Sequence, residues 1–478
     1  MCENLENFSG DLSSLETGAF TFAMCSNLTN FNTSLKSLKN GLMMFMSCDN
    51  LTSFNSDLLW LTNAEGMFNG CYNLEEFITT YGTLMNLTSG DSMFCECALT
   101  SFTTNMPKLQ SANYMFDSCE YLKYFSINEL GPITNAKNMF SGCISLKTFN
   151  GDLSHLVNGH SMFYKCENLT TFTSDLSSLI DGSNMFECCS GLTTFTSDLS
   201  HLVNGSLMFY NCGNLTTFTS DLSSLTDSSQ MFSNCSKLTS FTSDLSSLID
   251  GQSMFVNCSN LTTFASDLSS LTMSWNMFYG CENLTTFIGD LSSLENGHGM
   301  FSNCKLNTTS LMHIAESIKE HPMDNKKTIH IGIGNATPTD EEKELLTEIH
   351  NKGWNVYVNG SSNSNLYQPD VATLDETGEE QTTTPIPYWA KPVEVSKEEA
   401  QYIGQDGKYY NVLGGQFILV DNPETYGMFL NEEDAIANMR LTKIEKEEQK
   451  PQIKQTENTS KITREKIEEF VAKIKKNK

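Results

Sequence analysis

The sequence predicts a solenoid of short α/β repeats, followed by a C-terminal α/β cap, a small α+β module and a C-terminal helix. Two observations carry the first part of this prediction: fourteen of the sixteen cysteines recur at a nearly constant spacing, and a fixed apolar pattern surrounds each of them. Successive cysteines are 23 residues apart in ten of the thirteen intervals, and 26, 22 and 24 residues apart in the others. The register comprises Cys2, Cys25, Cys48, Cys71, Cys97, Cys119, Cys143, Cys166, Cys189, Cys212, Cys235, Cys258, Cys281 and Cys304.

Around each cysteine the same apolar positions return. In the turn of Cys166, Met162 and Phe163 precede the cysteine, and Leu169 and Phe172 follow it. Self-similarity at a period of 20 to 29 residues is typical of a leucine-rich-repeat solenoid. The apolar side chains of one turn contribute on the order of 10–15 kcal/mol when buried, whereas ordering 23 residues costs about 25–45 kcal/mol of backbone entropy. A lone turn therefore cannot fold, and we expect about 13 stacked turns over residues 1–304.

Each turn should contain a short strand and a tight turn. We expect a strand over residues 169–173, with Leu169 and Phe172 inward and the threonines outward. Residues 175–179 predict a helical or 3₁₀ turn with an aspartate N-cap, and pairs such as Asp-Gly at 181–182 predict a left-handed corner. At Cys97 one residue is deleted, which moves the following Leu and Phe to Leu99 and Phe102.

Outward threonines on consecutive strands form the candidate ligand-facing column. Its members are Thr171, Thr173, Thr194, Thr196, Thr217, Thr219 and Thr242. The preference of threonine for strands explains their presence without a ligand. An ice-binding threonine array is the alternative, and the breaks at Ala265 and Ile288 speak against it.

One aspartate per turn forms a second candidate column. It comprises Asp152, Asp175, Asp198, Asp221, Asp244, Asp267 and Asp290. Stacked carboxylates repel one another, and capping of the following turn would offset that repulsion. Calcium bound between turns is the weaker alternative, because a hard cation prefers oxygen ligands and would neutralise the column.

The remaining columns predict a core. Cysteine is among the residue types most often buried, so we expect free buried thiols; some disulfides and a metal site are the alternatives. Methionine fills irregular gaps, so the Met-Phe column is interpreted as core as well. The eight histidines show no metal-ligand spacing, and no nucleophile–base arrangement is present. We therefore predict no catalytic residue, no cofactor and no enzyme activity.

Charge and hydropathy limit the partners. The net charge is −28, and residues 1–304 carry 8 Lys and Arg against 28 Asp and Glu. Such a field repels phosphate backbones, so we expect no nucleic-acid partner. No run approaches 18 apolar residues, which predicts no membrane insertion, and the first residues show no signal-peptide pattern.

Beyond residue 304 the repeat stops, and the composition changes several times. Residues 305–359 predict a C-terminal cap with a helix at 311–320, a strand at 328–333, a helix at 338–352 and a strand at 354–358. Residues 360–384 predict a linker, and residues 385–444 a small α+β module with a hairpin at 408–420. Residues 445–478 predict a charged helical tail.

The Met-Phe-x-x-Cys-x-x-Leu-x-x-Phe turns resemble the BspA-like leucine-rich-repeat family of surface proteins over residues 1–304. The segment 328–358, with Thr339-Asp340-Glu341-Glu342, more loosely resembles caps found in phage structural proteins of gut bacteria. The resemblance implies adhesion to a protein or glycan on a host cell surface. It fits a virion component, such as a tail fibre or host-binding protein. The alternative is a bacterial cell-surface adhesin whose export signal is not part of this sequence.

The first turn, with Leu5, Phe8, Leu12 and Leu15, shows no polar capping segment before it. Because an apolar solenoid end favours association, we expect either further residues upstream or a cover from another chain, in a virion or by self-association.

Overall fold

The computed structural model describes residues 2–79, 84–335, 337–359 and 366–369, and four short strands nearer the C-terminus. The chain divides into two compact units, Met1–Thr382 and Thr383–Lys478. In the first unit a β-solenoid of about 14 turns of roughly 23 residues precedes a segment of helices and strands. The predicted fold class is thereby confirmed.

One side of the solenoid consists of short parallel strands from twelve successive turns. Aligned pairing places phenylalanine beside phenylalanine, as in Phe172↔Phe195 and Phe195↔Phe218. These strands are β1 (Asn30–Phe31), β2 (Ser53–Ser56), β3 (Glu76–Thr79), β4 (Ser101–Phe102), β5 (Tyr124–Ser126), β6 (Thr148–Asn150), β7 (Thr171–Phe172), β8 (Thr194–Phe195), β9 (Thr217–Phe218), β10 (Ser240–Phe241), β11 (Thr263–Phe264) and β12 (Thr286–Phe287).

Two interlocked phenylalanine columns form the centre of the solenoid. Within a column the rings stack, as between Phe209 and Phe232, with centroids 5.4 Å apart and planes inclined by 4°. Between columns the rings meet edge to face, as between Phe218 and Phe232 at 4.8 Å and 73°. Offset stacks and edge contacts are the favoured aromatic geometries. Every internal turn therefore contacts its neighbours on both sides through rings.

The Met-Phe segment on the opposite side has an unusual backbone. Two residues of each turn, five and one positions before the cysteine, adopt the left-handed conformation, as do Ser161 (φ 54°) and Lys165 (φ 57°). Alternate amides bond to different turns: Phe163 N–H donates to Met185 O at 2.8 Å in the next turn, and Met162 N–H to Gly159 O at 2.9 Å in its own. The segment thus closes each turn and joins it to the next.

This geometry corrects the expected corner at the Asp-Gly pairs. Gly182 is not left-handed; the nearest positive φ belongs to Asn184 (φ 59°). A Cβ on Gly182 would lie 3.1 Å from the side chains of Leu179, Leu202 and Met208. Glycine stands there because the core leaves little room for a side chain, and not because the backbone turns.

At residues 175–179 the sequence predicts a helical or 3₁₀ turn. No described residue of the solenoid lies in a helix, and Leu179 N–H donates to Leu176 O at 2.9 Å, a bond with the 3₁₀ spacing that closes a single turn. Serine and aspartate offer the backbone local bonds that compete with a helix. The segment is also far shorter than a helix that is stable through its own hydrogen bonds.

After the last repeat the chain builds the predicted cap. Its elements are β13 (Gly297–Leu306), α1 (Thr308–Ser317), β14 (Lys327–Ile333), α2 (Asp340–Asn351) and β15 (Trp354–Val358). Strand β14 pairs in parallel with both β13 and β15. Because β13 contains the last Met-Phe pair, the cap sheet continues the Met-Phe side of the solenoid, and the two helices pack against each other.

In the second unit, four strands form an antiparallel sheet in the order β18-β17-β16-β19. They are β16 (Tyr402–Ile403), β17 (Tyr409–Leu413), β18 (Gln416–Leu419) and β19 (Thr442–Lys443). Strands β17 and β18 pair as the hairpin that the sequence predicts. The expected linker at 360–384, most of the module at 385–444 and the helical tail at 445–478 lie outside the described residues.

Candidate functional site

The candidate ligand-facing threonines lie on the outer surface of strands β7 to β10. In the turn of Cys166, Phe172 is buried between the exposed Thr171 and Thr173, as the alternation of a strand requires. Leu169 is also buried and lies before the strand begins. We call the outward side chains of this patch the threonine face; its members are Thr171, Thr173, Thr194, Thr196, Thr217, Thr219 and Thr242. Neighbouring strands lie about 4.8 Å apart and alternate residues about 7 Å apart, which makes the face a regular grid.

The hydroxyl groups of the threonine face have no hydrogen-bond partner among the described residues. A third threonine column, one residue before Thr171, Thr194 and Thr217, behaves differently: Thr216 Oγ1 donates to Thr193 O at 3.0 Å, and Thr193 Oγ1 to Thr170 O at 3.4 Å. Sequence alternation alone did not separate these two roles. The bonded column reinforces the stack, and the threonine face leaves its hydroxyls to solvent or a ligand.

Large exposed side chains lie two turns away from the threonine face on each side. Tyr124 occupies the column of Thr171 two turns earlier and is 49% exposed; Ile288 occupies the column of Thr173 and is 46% exposed. Between these side chains the outward positions of β7 to β10 are threonine or serine. The surface is therefore uncharged and rich in hydroxyls within an otherwise acidic solenoid.

The aspartate column lies beside this face and bonds within its own turns. Each Oδ1 atom accepts the backbone N–H two residues later, as Asp175 does from Ser177 and Asp221 from Ser223, both at 2.8 Å. This bond lowers the pKa of Asp152, whose partner is Ser154. The same contact recurs at Asp198, Asp244, Asp267 and Asp290.

The register cysteines are buried from Cys25 to Cys304, and all described cysteines are free thiols. Each thiol from Cys48 onward donates to a phenylalanine carbonyl of the preceding turn, as Cys212 Sγ does to Phe186 O at 3.2 Å. Burial raises the pKa of Cys48 and of Cys258 to about 12. Thiolates are therefore disfavoured, and with them nucleophilic or metal-binding chemistry.

In the described part of the chain, no three His, Cys, Asp or Glu side chains converge as ligands for one metal ion. Nor does any helix there have the length and apolar composition needed to cross a bilayer.

Comparison with solved structures shows a likeness to three leucine-rich-repeat proteins, among others. A protein from Bacteroides ovatus is 22% identical, with a TM-score of 0.33, and the alignment covers 56% of this chain and 81% of that one. A leucine-rich cell surface protein of Faecalibacterium prausnitzii is 19% identical, with a TM-score of 0.30, and the alignment covers 57% of this chain and 68% of that one. A leucine-rich-repeat protein of Eubacterium ventriosum is 16% identical, with a TM-score of 0.35, and the alignment covers 62% of this chain and 82% of that one. No curated protein matches.

The family comparison is more specific than these structural likenesses. A family model described as "BspA type Leucine rich repeat region" matches residues 1–123, 62–155, 109–228 and 205–330. Together these matches span residues 1–330, which is more than half of the chain. The chain belongs to the BspA-type leucine-rich-repeat family.

Proposed function

We propose that this chain is a non-catalytic adhesion protein that binds a protein or glycan on a host cell surface through the threonine face. The unpartnered hydroxyls of β7 to β10 are the observation that carries the proposal. A repeated surface of a rigid solenoid offers an extended binding site without any moving part. Paired donors and acceptors at fixed spacing suit a ligand that is itself rich in hydroxyl or amide groups.

The aspartate column has a structural role in this proposal. Its carboxylates accept amide protons within their own turns, and capping of this kind explains why an aspartate recurs in each turn. Calcium is then not needed to hold the turns together.

For the location of the chain we propose a phage particle, in which it serves as a tail fibre or another host-binding component. The support is the resemblance of residues 328–358 to caps of phage structural proteins. A bacterial cell surface is the alternative. Mass spectrometry of purified virions and of cell envelopes from one source culture decides between them. Enrichment in envelopes and absence from virions would overturn the virion location and leave the adhesion proposal intact.

The binding proposal is tested with fluorescently labelled full-length protein on a panel of bacterial cells. The variant Thr196→Lys/Thr219→Lys should lose at least about tenfold in binding, because two central hydroxyls are replaced by long charged side chains. The matched control Ser190→Lys/His201→Lys adds similar side chains at exposed positions outside the threonine face. It should bind as the parent does. Equal losses in both variants would contradict the proposal.

The class of ligand follows from treating the cells before binding. Loss after protease treatment indicates a protein ligand, and loss after periodate oxidation indicates a glycan. Binding that survives both treatments would contradict both ligand classes.

A further inference from the structure

The one-residue deletion at Cys97 leaves a gap in the solenoid surface. A regular turn has two residues between the cysteine and the following leucine, such as Glu167 and Asn168; the turn of Cys97 has Ala98 alone. In four turns an asparagine at the second of these positions ties neighbouring turns together, as Asn168 Nδ2 does by donating to Ile144 O at 2.8 Å. With this side chain missing, Ala98 is 8% exposed and forms the floor of a cleft.

Aromatic and acidic side chains form the walls of this cleft, which we call the Tyr72 cleft. Its volume is about 360 Å³, and its lining residues are Tyr72, Glu96, Cys97, Ala98, Ser118, Glu120 and Tyr121. Tyr72 and Tyr121 are 55% and 60% exposed. They come from turns on either side of the deletion, so their backbones are about 10 Å apart. Two tyrosines and two carboxylates thus border the gap.

We propose that the Tyr72 cleft binds a guanidinium or ammonium group, carried by an arginine or lysine side chain of a protein partner or by a small organic cation. The site is separate from the threonine face, and the proposal does not depend on the proposed adhesion function.

The chemistry of the lining selects a cation. A cation over a tyrosine ring is attracted by the negative face of the ring, and the carboxylates of Glu96 and Glu120 provide charge-assisted acceptors. None of the seven lining residues is basic. The charge of Glu96, followed by its hydrogen bond, raises the pKa of Tyr72, which shows that the two groups interact closely. The acidic solenoid around the cleft repels anions and attracts cations.

The size of the cleft agrees with a small group. A volume of about 360 Å³ lies near the lower end of the roughly 300–1,000 Å³ found for small-molecule sites. Such a space suits one amino-acid side chain or one small cation, but not an extended polymer segment.

Calorimetric titration of the full chain tests the proposal with Nα-acetyl-arginine amide, its neutral citrulline analogue and tetramethylammonium. The arginine amide and tetramethylammonium should bind with Kd values of about 1 mM or tighter, and added salt should weaken both. The citrulline analogue should bind at least about tenfold more weakly. A peptide containing arginine that binds more tightly than the amide indicates a protein partner, whereas equal affinities indicate a small cation.

Variants separate the cleft from the general acidity of the surface. Glu96→Gln and Tyr121→Leu should each weaken arginine-amide binding at least about tenfold. Glu167→Gln removes the same charge from a regular turn and should leave binding unchanged. Insertion of one asparagine between Ala98 and Leu99 restores the regular turn and should abolish binding, with thermal unfolding as the check of folding. Equal binding of the citrulline analogue, or binding that survives the insertion in a folded protein, would overturn the proposal.

Discussion

At the scale of single residues, the repeated cysteine is explained by its thiol as well as by its size. Phe186 O accepts the N–H of Cys189 at 3.0 Å and the thiol of Cys212 from the next turn at 3.2 Å. A carbonyl oxygen has two lone pairs, and the thiol occupies the second one inside the core. The sequence predicts burial of this column, but its spacing could not reveal the bond between turns.

Replacement of one buried register cysteine should destabilise the protein moderately. Cys212→Ala should lower the free energy of unfolding by about 1–2 kcal/mol, through a weak hydrogen bond and a small cavity. Cys188→Ala, at a half-exposed thiol outside the register, should change it by less than about 0.5 kcal/mol. Denaturant titration measures both values. A cost at Cys188 as large as that at Cys212 would refute the role given to the column.

His330 makes the junction between the solenoid and the cap sensitive to pH. The ring is 2% exposed, its Nδ1 atom accepts Gly299 N–H at 2.9 Å, and it stacks on Tyr357 at 4.7 Å. Burial, and then the charge of neighbouring His298, lower the pKa of His330 to about 4. The folded protein therefore requires the neutral ring, because only this form has an acceptor at Nδ1.

The sign of the pH effect follows from this lowered pKa. Between about pH 6.5 and pH 4 the unfolded chain binds a proton at His330, whereas the folded chain does not. The free energy of unfolding therefore falls as the pH falls through that range. The loss at His330 should not exceed about 3 kcal/mol. As the pH falls over that range, the parent loses stability at His330 and the variant His330→Phe does not. The difference in unfolding free energy between the two should therefore shrink as the pH falls. His201→Phe, at an exposed ring, is the control and should give a constant difference; a constant difference for His330→Phe would contradict this explanation.

At the scale of elements, helix α1 takes the place of a next strand beside β12. Ser310 lies in the first turn of α1, and its Oγ atom is 2.9 Å from both Phe287 N and Thr285 O. The exposed edge of the last short strand thus obtains a donor and an acceptor from one side chain. This contact explains how a repeat stack can end without an unpaired strand edge.

Removal of the Ser310 hydroxyl should lower the free energy of unfolding by a large amount for the loss of one oxygen atom. Ser310→Ala leaves the buried Phe287 N–H without its acceptor and should destabilise the protein by about 1–3 kcal/mol. Thr309→Ala, at the exposed neighbouring position of the same helix, should be close to neutral. Thermal and denaturant unfolding of the two variants provide the test, and a neutral Ser310→Ala would show that α1 is not needed to close the edge.

The aspartate turns are a further element-scale case. Asp221→Ala removes the acceptor of Ser223 N–H and should cost about 1 kcal/mol with or without calcium. Asp221→Asn retains an acceptor oxygen and should cost less. Unfolding is followed in calcium and in chelator. Stabilisation of the parent by calcium that Asp221→Ala abolishes would favour the metal interpretation instead.

Elements that repeat along the chain, and helices that begin with capping and acidic residues, could be predicted from the sequence. Helix α2 was expected from acids after Pro338, and the structure begins it at Asp340 with Thr339 and Glu342 as a reciprocal capping box. The turn at residues 175–179, predicted to be helical or 3₁₀, is a single turn with the 3₁₀ spacing that does not extend into a helix, because local serine and aspartate bonds compete there. The Tyr72 cleft was visible only as a missing residue at Cys97, since a cleft depends on side chains from three turns.

At the scale of the whole solenoid, one set of residues holds the turns together and a different set forms the outer surface. Phenylalanine stacks, thiol bonds and alternating amide bonds hold every turn to its neighbours, so outward side chains such as Thr171 and Thr194 are not required for the stack. The strands therefore present the threonine face as a fixed grid. This separation is the physical basis for assigning recognition to the surface and stability to the core.

Thiol footprinting on cells that bind the full chain tests the claim that recognition takes place on the threonine face. A parent carrying Cys2→Ser, Cys95→Ser and Cys188→Ser should label slowly, because its other thiols are buried. Thr196→Cys and, as control, Ser190→Cys are then added singly. Bound cells should slow labelling of Thr196→Cys at least about tenfold, with little change for Ser190→Cys. Unchanged labelling of Thr196→Cys in protein that remains bound would contradict the claim.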